Sequence, residues 1–520
     1  MNRLNHLSQT QSTVVLTYRV VPAREVVVSQ FGSRFLALGR SCSWPSFPRR
    51  TAVKPGQPGT PITLGNETSP TSQASQCRLT KTSDGYKFTP MLLEQNLAFP
   101  FIEQQPTSRG FEGPLADQLL SFREFGKATQ MLETAAMSSI GTKIIVPTYV
   151  NEFWTSKQRA ASSLHEVSYR ACFKPQLPRF FIERLTKPGD IVFDPFMGRG
   201  TTIIEAGLLG RVPIGCDVNP LSVVLAQPRL RPPTLEQVTA RLRAVDFKDA
   251  DEFPEDLLVF FHRETLREIC ALRRYLIRRP ASGESDCVDD WIRMVAVNRL
   301  TGHSPGFFSV YTLPPNQAVS VKAQQKINER RGQAPPRRHV CEIISRKSKQ
   351  LLADCNNAAR TTLSQVSPCA KLLTQASRAV PQIPSGTVSL VVTSPPFLDV
   401  VDYAGDNWLR CWFIGVDPLS VKLTIPRKLE AWQAAMTEVF RELHRILRPG
   451  GHVAFEVGEV RAGKVKLEEA VLPCGIAAGL EPLLVLINDQ KFTKTANCWG
   501  VENNAKGTNT NRIVVFQKVG

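Results

Sequence analysis

Two short runs in this 520-residue chain carry residue types that could do chemistry together. The first is Asp194-Pro195-Phe196-Met197-Gly198-Arg199-Gly200-Thr201-Thr202. Its glycines let the backbone approach a ligand closely, and a helix opening directly after them offers unpaired N–H donors to a carboxylate. Asp217 stands 17 residues beyond Gly200, at the end of the next apolar run, where an acid can accept both hydroxyls of a ribose. The order is G-x-G and then Thr, which argues against the usual dinucleotide fingerprint. The second run is Ser394-Pro395-Pro396-Phe397. An exocyclic amino nitrogen on cytosine or adenine is a poor nucleophile, because its lone pair is delocalised into the ring. Acceptors for its N–H groups favour a more tetrahedral nitrogen, and the Ser394 side chain and Pro395 carbonyl are the candidates. The prolines leave the turn without internal N–H groups and hold those acceptors rigid. Phe397 can stack on a base rotated out of the duplex. A glycine-rich turn or a Pro-Pro turn by itself is commonly structural; the pair of motifs carries the reading.

Elements that would position these runs are legible around them. Pro178 to Leu185 has the spacing of a short amphipathic helix, Lys187-Pro188-Gly189-Asp190 is a turn, and Ile191-Val192-Phe193 is a strand. Thr201 to Leu209 reads as a helix and Val212 to Cys216 as a second strand. Strand, glycine-rich turn, helix, strand opens a doubly wound α/β sheet. Val388 to Val392 is a buried-strand run that delivers Ser394 to the carboxyl end of the sheet, where such folds bind ligands. A helix over Leu429 to Leu447, a strand over His452 to Val457 and a terminal strand over Arg512 to Gln517 complete the pattern.

Together the two strings resemble the DNA amino-methyltransferases, which make N4-methylcytosine or N6-methyladenine. DPFMGRGTT looks like their cofactor loop and SPPF like their [D/N/S]-P-P-[Y/F/W] tetrad, whose serine form recurs most often in the N4-cytosine branch. YRACFKPQLPRFFIERL (Tyr169 to Leu185) looks like the family's segment before that loop, with Phe173 as the aromatic near the methionine end of the cofactor. LRPGGHVAFEVGEV and NTNRIVVF look like its later strands. The resemblance covers roughly residues 165–230 and 370–520. It implies a Rossmann-like methyltransferase sheet and S-adenosylmethionine as cofactor. Phe173, Asp194, Pro195, Phe196, Gly198, Gly200, Thr201, Thr202 and Asp217 would bind the cofactor; Ser394, Pro395, Pro396 and Phe397 would be catalytic. No metal is implied, since the sulfonium carries the reactivity. Two departures stand out. The acid usual before the catalytic strand is replaced by Thr374-Gln375-Ala376, and the tetrad ends in Phe.

The rest of the chain frames this core. With 64 Lys+Arg against 46 Asp+Glu the net charge is +18, which suits a polyanion such as double-stranded DNA. The twelve cysteines form no CxxC pair, so neither a zinc site nor a disulfide framework is indicated. No run reaches the length needed to span a membrane and no export signal is evident, which points to the cytoplasm. Residues 1–140 are expected to be a low-complexity, disordered extension, with Met137 an alternative start. Residues 141–230 are the first part of the catalytic domain, 231–365 a helical basic insert, and 366–520 the second part. The insert is the candidate for target recognition, with Arg330, Arg331, Arg337 and Arg338 toward guanine edges or phosphates. Gly302 to Asn316 is expected to be a loop near the target base, and Asp402-Tyr403 and Asn407-Trp408 either line its pocket or pack in the core. A cognate restriction endonuclease would be a partner. The rivals are cytosine-C5 methylation through Pro368-Cys369 or Pro473-Cys474, RNA amino-methylation, and a nonenzymatic DNA-binding relic of the fold.

Overall fold

In the computed structural model of the chain, the described residues are 81–82, 85–86, 115–137, 141–155, 161–169, 172–248, 252–312, 318–396, 403–421, 426, 428–460, 465–489 and 510–520. Residues 1–102 and 103–520 form separate units. In the first, Lys81–Thr82 pairs antiparallel with Gly85–Tyr86; the disorder expected for the rest of that segment lies outside the described residues.

The second unit is built on one nine-stranded sheet. Its strands are β1 (Gln130–Met137), β2 (Lys143–Asn151), β3 (Ile191–Asp194), β4 (Val212–Asp217), β5 (Lys371–Thr374), β6 (Val388–Thr393), β7 (Leu447–Val457), β8 (Glu481–Asp489) and β9 (Thr510–Gln517). Their order across the sheet is β1-β2-β8-β9-β7-β6-β3-β4-β5. The run from β7 through β6, β3 and β4 to β5 is parallel, and β9 is antiparallel to both of its neighbours. The strand order reverses between β3 and β6, which opens a crevice at their carboxyl ends. Every residue of β6 is buried, as expected of a central parallel strand covered on both faces. The turn before β3 closes as its sequence suggests: Gly189 has φ +86°, and Asp190 accepts from the Lys187 N–H at 2.9 Å.

Alternation along the strands makes two cores. Phe193, Val391, Phe455 and Phe516 face α12 (Leu429–Ile446) and α13 (Leu467–Ala477), with Trp432, Phe440 and Val471 packed against them. Val192, Leu390, Ala454 and Val515 take the other face, with Phe180 and Phe181 of α2 (Gln176–Leu185) and Leu119 of α1 (Leu115–Ser121).

Between β4 and β5 the chain is helical, as expected: α4 (Leu221–Leu230), α5 (Leu235–Ala244), α6 (Arg263–Ala281), α7 (Cys287–Arg299), α8 (Val321–Arg331), α9 (Val340–Leu351) and α10 (Asn357–Val366). The insert shares a core with α4 and with α3 (Thr201–Leu208), which follows the glycine-rich loop: Ile203 of α3 and Leu225 of α4 belong to the same cluster as Trp291, Leu266 and Ile344. Inside it, Asp289 is fully buried and held by Arg241 and Arg279, and Trp291 donates to Ser348 at 3.0 Å.

The boundary expected at residue 140 is corrected by α1 and β1. β1 pairs with β2 over its whole length, and α1 packs through Leu119 onto the sheet. β1 is an edge strand with mostly exposed side chains, so its sequence lacks the alternation that marks a half-buried strand.

Candidate active site

The first motif folds into a turn held from several sides. Asp194 ends β3; its Oδ1 accepts from the Thr393 hydroxyl at 2.6 Å and from the Phe196 N–H at 3.1 Å. Burial pushes its carboxyl up to about 7, with the Thr393 and Phe196 hydrogen bonds pulling the other way. Gly198 and Gly200 have φ of +47° and +76°, the left-handed region that favours glycine. A Cβ on Gly200 would sit 2.7 Å from that of Ala226, so α4 also requires a glycine there. Gly200 caps α3, and the Thr202 hydroxyl donates to the Val392 carbonyl at 3.0 Å, pinning that helix to β6.

Asp217 ends β4 and accepts the Gly198 and Asn219 N–H groups, one on each oxygen, both at 2.9 Å. Each oxygen keeps a second lone pair for a ligand. Burial raises its pKa and those backbone donors lower it. Below the loop, Arg199 donates to the carbonyls of His165, Val167 and Phe173, and buried Arg229 donates to those of Leu164, Leu225 and Arg199. The loop is therefore anchored through its backbone by two guanidinium groups.

The second motif arrives beside it. Ser394, Pro395 and Pro396 follow β6, adjacent to β3. Buried Trp432 of α12 donates its indole N–H to the Pro396 carbonyl at 3.0 Å, and Ser394 stands beside buried Glu456 of β7.

One cavity of about 660 Å³ joins the two motifs. Of the residues expected at the cofactor, Phe173, Asp194, Pro195, Phe196, Gly198, Thr201 and Asp217 line it. Gly200 and Thr202 stand behind the wall and shape it. Of the tetrad, Ser394 and Pro396 line it and Pro395 is buried; Phe397 lies outside the described residues, as do Asp402 and residues 313–316. The loop after β5 contributes Gln375, Ala376, Ser377 and Arg378, so the segment that lacks the usual acid still reaches the cavity. Neither Trp432 nor Glu456 was singled out from sequence. Trp432 begins an evidently amphipathic helix, a signal for packing but not for which turn it supports. Glu456 is an acid in an apolar strand, a signal that was available.

Other expected residues lie elsewhere. Arg330 and Arg331 are exposed at the end of α8, with Arg331 over the Tyr311 ring. The Arg337 guanidinium, expected on phosphate, pairs with Glu268. Arg338 is half-buried and its backbone N–H donates to Thr265. Trp408 donates to the Ala318 carbonyl and Asn407 accepts from Arg410, both as packing groups of α11 (Tyr403–Ile414). Cys369 is exposed in the turn before β5, Cys474 is buried in α13, and neither lines the cavity. Among the described residues no cluster of three His, Cys, Asp or Glu is placed to hold a metal, and no helix is long and apolar enough to cross a membrane.

Known proteins match the same region. A family model described as DNA methylase matches residues 138–227. The chain is 23% identical over 286 residues to the type II methyltransferase M.BsoBI of Geobacillus stearothermophilus, covering 50% of this chain and 54% of that protein. It is 35% identical over 77 residues to the type II methyltransferase M.MjaII of Methanocaldococcus jannaschii, 15% of this chain and 14% of that one. It is also 41% identical over 63 residues to the tRNA (guanine(10)-N2)-dimethyltransferase of the same organism, 12% and 18% of the two chains. The chain thus spans about half of the first relative's length and less of the others'. The DNA methylase match over residues 138–227 contains the glycine-rich loop, and both motifs stand around one cavity, so this part of the chain is similar to the DNA methylases.

Proposed function

We propose that the protein methylates an exocyclic amino group of a base in DNA, with N4 of cytosine favoured over N6 of adenine because the tetrad begins with serine. The observation that carries this reading is the shared cavity, lined by Asp217 and Gly198 on one side and by Ser394 and Pro396 on the other. The residues fit S-adenosylmethionine. A volume of about 660 Å³ is in the range of small-molecule sites. Asp217 retains lone pairs for ribose hydroxyls, and the start of α3 offers N–H donors to a carboxylate. Asp194 supplies an acid suited to the cofactor's positive charge. When bound, the cofactor supplies an electrophilic methyl group.

The chain's own residues do the rest. Asp217 and the loop backbone hold the nucleoside and methionine ends. Ser394 accepts from the amino N–H, and the Pro395-Pro396 turn, braced by Trp432, keeps that acceptor fixed. Buried walls from α12, among them Trp432 and Met436, keep water from the reacting atoms. The restriction endonuclease partner belongs to the same proposal, since two relatives are named as type II methyltransferases.

A second reading, amino-methylation of RNA, is favoured by the match to the tRNA (guanine(10)-N2)-dimethyltransferase. Purified protein with methyl-labelled cofactor, offered duplex DNA and structured RNA in parallel, separates the two. Label in DNA is expected; label confined to RNA would transfer the assignment to the second reading.

A further inference from the structure

Glu456 belongs to neither motif, yet it lies beside the second one. Along β7 it shares a face with Ala454, the face that also carries Val192, Leu390 and Val392. The register pairs Thr393 with Phe455, and Glu456 with Ile513 of β9. Three neighbouring strands therefore bring Ser394, Glu456 and Asn511 together. Glu456 is 5% exposed, stands beside Ser394, whose side chain pulls its pKa down, and accepts from Asn511 Nδ2 at 3.0 Å. No Lys or Arg pairs with it among the described residues; Arg512, beside Asn511, turns to Glu468 of α13 on the opposite face. Burying a carboxyl without a cation is unfavourable, so an acid at this position points to a role.

Resting on the amino-methyltransferase reading, we propose that Glu456 is the positioning residue for Ser394 and the final acceptor of the proton that the amino group sheds. Holding the hydroxyl hydrogen of Ser394 leaves the Oγ lone pairs for the amino N–H. During transfer the amino nitrogen's lone pair forms the N–C bond to the methyl carbon of the sulfonium donor. The C–S bond breaks and its electron pair stays on sulfur. The nitrogen then carries a surplus proton, which passes to Ser394 Oγ as the Ser394 hydroxyl proton passes to the Glu456 carboxylate. The amine is left neutral, and Glu456 later returns the proton to water.

Burial pushes the Glu456 carboxyl up to about 7, against the pull of Ser394 and Asn511, so near neutrality it can both exist as a carboxylate and take a proton. Other titratable groups on this face are engaged or distant. Asp194 ends β3, beyond β6, and His452 lies toward the other end of β7. On α2 and α3, Arg179, Glu183 and Glu205 pair with one another, with His165 on Glu205 and Arg184 over the Phe180 ring.

Glu456→Gln keeps the shape and the capacity to hydrogen-bond but cannot receive the proton. The single-turnover rate of DNA methylation should fall about 10²-fold, the size typical of a lost proton-transfer group. Calorimetric affinity for S-adenosylmethionine should be unchanged. At saturating S-adenosylmethionine the wild-type rate should climb with pH through neutrality, and the variant's should not. Without any ligand, the wild type should lose stability relative to Glu456→Gln as pH rises from the ordinary 4.5 to about 7, because folded Glu456 holds its proton more tightly than the unfolded chain does. Should that variant fail to fold, Asn511→Ala removes a donor to the carboxylate and should move the rate limb to higher pH. A wild-type rate and pH limb in Glu456→Gln, or an unmoved limb in Asn511→Ala, would overturn the proposal. Wild-type protein that binds the cofactor but methylates no amino group would instead defeat the underlying reading, and this proposal with it.

Discussion

Asp194 and Asp217 are the acids that end β3 and β4 at the cavity, and their surroundings assign them different work. Asp217 is fixed by two backbone donors and has lone pairs left for a diol. Asp217→Ala should therefore weaken S-adenosylmethionine binding by about 1–3 kcal/mol, the cost of lost hydrogen bonds to a charged group; isothermal titration at wild-type affinity would remove Asp217 from the site. Burial pushes the Asp194 carboxyl up to about 7. Its folded pKa lies above the ordinary 3.8, so its contribution to stability is full in acid and is lost as pH rises through about 7. A cation bound against it favours the ionised form. Cofactor affinity should accordingly fall as pH drops below about 7, and binding near neutrality should release a proton. Calorimetry in buffers of different ionisation heat measures that release, and Asp194→Asn should abolish it. Much of this was legible in the sequence, because Gly198, Asp217 and Ser394 sit in short strings whose spacing is itself the signal. Glu456 and Trp432 were harder to find, since each acts across the sheet from a segment distant in sequence.

Elements decide whether these residues meet. The glycine loop works because α4 lies close enough that Gly200 has no room for a side chain. Gly200→Ala should cost about 2 kcal/mol or more, from the left-handed backbone and the clash with Ala226, and should lower the thermal midpoint along with cofactor affinity. An unchanged midpoint would show that the loop relaxes freely. Strands β3, β4, β6 and β7 and helices α2, α3 and α12 were readable because each has a clean apolar period and a Gly or Pro boundary. β1 and α1 were not: an edge strand buries too little to impose alternation, and its order comes from the ladder with β2. The insert's helices were visible as a group, but their sharing of a core with α3 and α4 depends on tertiary packing, which periodicity does not report.

For the whole molecule, the basic excess and the insert raise the question of where nucleic acid lies. Arg330 and Arg331 are exposed on α8, whereas Arg337 is occupied by Glu268. Replacing Arg330 and Arg331 with Ala should weaken DNA binding and flatten its dependence on log salt by about 0.9 for each phosphate left without its arginine. Arg337→Ala should act mainly on stability, through the unpaired Glu268. An unchanged salt slope for the first pair would make that end of α8 a solvated surface. The net charge was plain in the composition, but which arginines are tied up in ion pairs could be seen only in the fold. The proposed activity is defined above all by the atom that receives the methyl group. Mass spectrometry of nucleosides from DNA methylated by the purified protein should show N4-methylcytosine or N6-methyladenine, with Cys369→Ala and Cys474→Ala as active as wild type. Finding 5-methylcytosine, or losing methylation with either cysteine, would refute amino-group transfer.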